Sequence, residues 1–88
     1  MKNLTIGVIG ASSPTKKIEN LAKEVGCLLA ANGAVVICGG LSGVMEAVCR
    51  GAKSKGGTTI GILPGSNPDV ANEWIDHVIC TAIQFNLL

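Results

Sequence analysis

Two glycine-rich stretches carry the residue types that could do chemistry in this chain. Gly10-Ala11-Ser12-Ser13-Pro14-Thr15 offers backbone N–H groups and three hydroxyls just ahead of a helical pattern, and Lys16 and Lys17 add positive charge. Gly39-Gly40-Leu41-Ser42-Gly43 has the same design. Its glycines let the chain turn sharply and bring backbone close to a ligand, and the helical pattern that opens at Val44 points its dipole back at the loop. Amides at a helix entrance suit a phosphate or another anion. The expected contacts are Gly10, Ala11, Ser12, Ser13, Gly39, Gly40, Ser42 and Gly43. Pro64 and Gly65 stand at the same rim, either as pocket wall or as a simple turn. Each stretch also has a plainer reading, Ser13-Pro14-Thr15 as a capped turn and Gly39-Gly40 as strand-to-helix packing.

The elements that must position these loops are legible from periodicity. Residues 4–9 (LTIGVI) form a short apolar, β-branched run that ends at Gly10, the pattern of a buried strand. Over residues 16–32, Ile18, Leu21, Ala22, Val25, Leu28 and Leu29 make one apolar stripe at helical spacing. Thr15 stands as N-cap and Asn32-Gly33 as the stop. Residues 34–38 (AVVIC) are apolar without alternation, which predicts a strand buried on both faces. Val44, Met45, Val48, Cys49 and Ala52 give a second helix to about Lys55, and residues 58–63 a third strand. Residues 69–76 read as a loose helical turn with Trp74 as a packing lid, residues 77–80 as a fourth strand, and residues 82–88 as the start of another helix.

Strands separated by helical crossovers imply a parallel sheet with right-handed connections. The expected fold is α/β, a Rossmann-like three-layer half-domain over residues 1–88. Its sheet has about four strands in the order 3-2-1-4, with helices on both faces. Ligands of such sheets bind beyond the carboxyl ends of the strands where strand order reverses, which that order puts between strands one and four. Glu46, in the first turn of the second helix, either holds a ligand hydroxyl or simply favours the helix dipole. Asp76 and His77 stand at the opposite, amino end of the sheet, away from the expected site.

Composition narrows the function. The chain has 88 residues, 48% hydrophobic and 15% charged, with a net charge of +1; that excludes a disordered chain and leaves no basic field for nucleic acid. No apolar run approaches the ~20 residues of a membrane span. The four cysteines, Cys27, Cys38, Cys49 and Cys80, form no C-x-x-C pair and the chain has one histidine, so a tetrahedral zinc site is not expected. With no secretory signal in view, the thiols read as small apolar side chains of a cytoplasmic protein. The G-x-G-x-x-G, G-x-x-x-x-G-K-[ST] and G-x-S-x-G motifs are absent, which disfavours ordinary NAD, P-loop and hydrolase chemistry.

Three blocks together resemble a known family. They are I-G-V-I-G-A-S from Ile6, C-G-G-L-S-G-V-M-E-A from Cys38, and G-A-K-S-K-G-G-T-T-I-G-I-L-P-G from Gly51. They are similar to the LOG-like Rossmann family, long labelled "possible lysine decarboxylase", and most of all to its branch of molybdenum-cofactor-carrier-like and uncharacterised proteins. The resemblance runs from about Leu4 to the end of the chain. It implies binding of a nucleotide, of molybdenum cofactor or of another phosphate-bearing ligand. In LOG enzymes the family reaction is hydrolysis of the N-glycosidic bond of nucleoside 5′-monophosphates. That reaction relies on a later P-G-G-x-G-T-x-x-E motif and an Arg, and the motif is absent here. The expectation is therefore a binding module for a small anionic ligand, with no catalytic residue assigned. The alternatives are a non-catalytic fragment or short homologue stabilised as a homo-oligomer, and, less favoured, a LOG-like phosphoribohydrolase.

Overall fold

Thr15 starts the first helix as its spacing predicts: its side chain accepts the Ile18 N–H at 3.3 Å. Asn32 closes that helix, its side-chain amide donating to the Leu28 carbonyl at 2.7 Å, and Gly33 follows at a φ of 78°. In the computed structural model the elements run β1 (Thr5–Val8), α1 (Lys16–Ala31), β2 (Val35–Cys38), α2 (Val44–Ser54), β3 (Thr59–Leu63), a 3-10 turn (Pro68–Val70) and β4 (His77–Cys80). The structure describes residues 4–39, 42–63 and 65–81. Gly40, Pro64 and the helix expected over residues 82–88 lie outside them.

All strand pairs are parallel, and the sheet order is β1-β2-β3-β4. The Rossmann-like α/β class holds, and strands one to three stand in the expected relation. The fourth does not: it lies beside β3, not beside β1. No helix long enough to carry the chain back across two strands separates β3 from β4. A polar cluster instead ties the start of β4 to the start of β3. The Thr59 hydroxyl donates to the Trp74 carbonyl (2.6 Å) and accepts from the Asp76 N–H (2.9 Å). The Asp76 carboxylate accepts from the Thr59 N–H (3.0 Å) and pairs with Lys53 of α2 (2.8 Å).

Among the described residues the two helices lie on one face of the sheet, not on both; the third helix expected, over residues 82–88, lies outside them. Two successive right-handed crossovers that advance in one direction leave their helices on one face, and α1 and α2 pack there against each other. Ala22, Val36, Cys38, Ala47, Val48, Cys49 and Ala52 form the core between helices and sheet, with Trp74 packed against it. The helices touch backbone to backbone. A methyl group on Gly26 would run into the Val48 carbonyl oxygen, and one on Gly51 into that of Lys23. Cys38 and Cys49 meet in this core with their sulfurs 3.5 Å apart. The hydrogen bond between them and then burial push the Cys49 pKa far up, so this thiol is a core side chain and not a nucleophile.

The other sheet face carries Val35, Ile37, Ile60, Ile62 and Ile79, half-buried or exposed. β2 is thus fully buried on one face only, against the expectation from its unbroken apolar run. The stripe on α1 is likewise divided. Ala22 is buried and Leu29 packs on the core, whereas Ile18, Leu21, Val25 and Leu28 are exposed.

Gly26→Ala and Gly51→Ala are expected to lower stability by about 1–3 kcal/mol or more, since overpacking forces the helices apart; urea midpoints measure this. Burial alone would raise the Asp76 pKa, but its bonds to Lys53 and Thr59 outweigh that and hold it below 3.8. The stability it supplies is complete above the ordinary value and disappears as pH falls through the lower folded-state value. Asp76→Asn should therefore lower stability at neutral pH and flatten its acid dependence, as read by denaturation across pH.

Candidate functional site

The two glycine-lined loops meet. The Val44 N–H, at the start of α2, donates to the Ala11 carbonyl at 3.0 Å. Gly43 makes that approach possible. Its φ of 82° suits glycine, and any side chain there would collide with the Ala11 carbonyl oxygen and the backbone of Ser12. Gly10 leaves the matching space on the other loop, because a Cβ there would lie 2.6 Å from that of Val44.

Behind this contact a polar cleft of about 280 Å³ opens between the first turns of the two helices, lined by Ser12, Ser13, Glu19, Gly43, Glu46 and Arg50. The two helix entrances differ: α1 is capped by Thr15, whereas α2 begins at Gly43 with no side-chain cap. Charges in and beside the cleft balance. Glu19 pairs with Lys16 at 3.3 Å and with Arg50 at 3.7 Å, and Glu46 is the second carboxylate. The arrangement offers hydroxyls, a guanidinium and a helix start without a side-chain cap, its first amide already given to Ala11, to acceptor oxygens, and a carboxylate to hydroxyl or amino donors.

The residues singled out from the sequence divide around this geometry. Ser12, Ser13 and Gly43 line the cleft, and Gly10 and Ala11 build the loop contact behind it. Gly39 lies instead on an apolar hollow of about 280 Å³ at the carboxyl ends of β1 to β3, with Gly7, Ile9, Ile37 and Ile62. Ser42 and Gly65 are exposed and line neither cavity. With β4 beside β3, the expected reversal of strand order between strands one and four does not occur; the loops converge because the two crossovers are adjacent. Glu19 and Arg50 were not legible as site residues, since only the helix crossing brings them together. Asp76 is held in the polar cluster at the amino end of β4, and its neighbour His77 is exposed on the open sheet face. Among the described residues no group of His, Cys, Asp or Glu could hold a metal ion, and no helix is long and apolar enough to cross a membrane.

Known proteins share this architecture. The molybdenum cofactor binding protein of the phototrophic bacterium Rippkaea orientalis superimposes with a TM-score of 0.87 at 38% identity, over 94% of this chain and 52% of that one. The molybdenum cofactor carrier protein of Chlamydomonas reinhardtii does so with a TM-score of 0.87 at 33% identity, over 99% of this chain and 55% of its own. An uncharacterized protein of Archaeoglobus fulgidus is 48% identical over 81 residues, 92% of this chain and 53% of that protein. The chain thus spans about half the length of the relatives it matches. The likeness to the carrier-like branch of the LOG-like fold, drawn from the glycine blocks, is borne out. The family model of the SLOG cluster4 family matches residues 3–86, and the chain belongs to that family.

Proposed function

We propose that this chain is a binding module for a small phosphate-bearing ligand, molybdenum cofactor or a nucleotide, and that it holds its ligand without turning it over. The observation that carries this reading is the Val44–Ala11 contact. It joins two loop-to-helix entrances and leaves Ser12, Ser13 and the uncapped start of α2 around one polar cleft. Gly10, Ala11, Ser12, Ser13 and Gly43 form the working part of the site in this reading, while Gly39, Ser42 and Gly65 stand outside the cleft.

The names of the two solved relatives support a carrier role. The donor set is suited to phosphoryl oxygens and not to a soft metal: the cleft contains no thiol, and Cys38 and Cys49 are in the core. Molybdenum cofactor would therefore be held here by its phosphate end. Four free thiols suit a reducing compartment, and we read the protein as cytoplasmic.

A second reading concerns assembly. The exposed stripe of Ile18, Leu21, Val25 and Leu28 and the open isoleucine face of the sheet favour self-association. β1 and β4 add two sheet edges.

Thermal unfolding with AMP, GMP, inorganic phosphate and extracted molybdenum cofactor tests the binding reading. A ligand at 100 times its Kd should add about 2.7 kcal/mol to stability, with no free base released from AMP. No shift with any of them overturns it. Light scattering across a dilution series tests assembly: the expected result is an oligomer that Leu21→Glu dissociates, and a monomer throughout overturns that reading.

A further inference from the structure

We propose that Arg50 is the residue that receives the phosphoryl group, with Glu19 as its positioning residue, and that the ligand is a phosphate ester whose neighbouring hydroxyl or amino group is accepted by Glu46. This rests on the binding reading above and deepens it. Arg50 lies on α2 and lines the polar cleft together with Ser12 and Ser13. Its side chain is 35% exposed. A guanidinium carries five N–H donors in a planar fork that matches phosphoryl oxygens two at a time. Among the described residues its one ionic partner is Glu19 at 3.7 Å, too long for a hydrogen bond. Among the described residues no hydrogen bond is made to it. A pair of that length at a half-open surface contributes little to stability, but it keeps the guanidinium beside Glu19, another residue of the cleft lining. Glu19 is held in turn by Lys16 at 3.3 Å.

Glu46 sets the class of ligand. A second carboxylate in so small a cleft repels a free multivalent anion, so inorganic phosphate alone is a poor match. A phosphate ester fits both ends: its phosphoryl oxygens accept from Arg50, Ser12 and Ser13, and a hydroxyl or amine on its organic part donates to Glu46. The motif reading left Arg50 without a role, and a merely structural ion pair between helices would need neither the open fork nor the serines that line the same cleft.

Titration calorimetry with AMP, adenosine and inorganic phosphate as probes tests this on the full chain. The wild-type protein is expected to bind AMP more tightly than either adenosine or phosphate. Arg50→Ala should weaken AMP by about tenfold or more and leave adenosine unchanged. Arg50→Lys, which keeps the charge and loses the fork, should fall between and serves as the test if Arg50→Ala fails to fold. Glu46→Gln should tighten inorganic phosphate relative to AMP. Wild-type affinity for AMP in a folded Arg50→Ala or Arg50→Lys protein overturns the assignment while leaving the binding reading intact. A wild-type protein that binds none of the phosphate-bearing probes overturns both.

Discussion

Backbone contact between α1 and α2 is the constraint on which the rest depends. Gly26 faces the Val48 carbonyl and Gly51 faces that of Lys23, with no side chain between the backbones at these two points. Helices this close carry their first turns to the same place. The start of α1 brings Ser13 and Glu19 to one wall of a cleft, and α2 brings Gly43, Glu46 and Arg50 to the other. The contact between Val44 and Ala11 then joins the two loops beside the cleft. A larger residue at either crossing glycine would separate these walls as well as loosen the core.

The electrostatics of the cleft follow from this crossing. Lys16, Glu19 and Arg50 form a short chain of ion pairs from the outer face of α1 to α2, and Glu46 stands beside it on the α2 wall. The hydroxyls of Ser12 and Ser13 add neutral donors. The cleft is therefore polar without strong net charge. A ligand with both acceptor and donor groups suits such a surface better than a bare anion does.

The same architecture leaves apolar surface uncovered. Both crossovers advance from β1 toward β3, so both helices occupy one face, and the isoleucines of the other face have no helix over them among the described residues. The outward half of the α1 stripe is exposed too. These surfaces belong to a chain that spans about half the length of the relatives it matches.

Local pattern in the sequence determined the elements, because periodicity, Thr15, Asn32-Gly33 and the glycine loops act within a few residues of themselves. It also determined the family, carried by Gly39 to Ala47 and Gly51 to Gly65, and the meeting of the two loops, since adjacent crossovers put both at one rim. What only the tertiary structure decided is the position of β4, the common face that α1 and α2 share and the pairing of Glu19 with Arg50. β4 is fixed by a carboxylate at Asp76 reaching Thr59 and Lys53 across 17 and 23 residues, a contact no local pattern announces. Likewise, an apolar stripe such as that of α1 states which residues prefer burial, but which of them are buried depends on how closely Gly26 and Gly51 let the second helix approach.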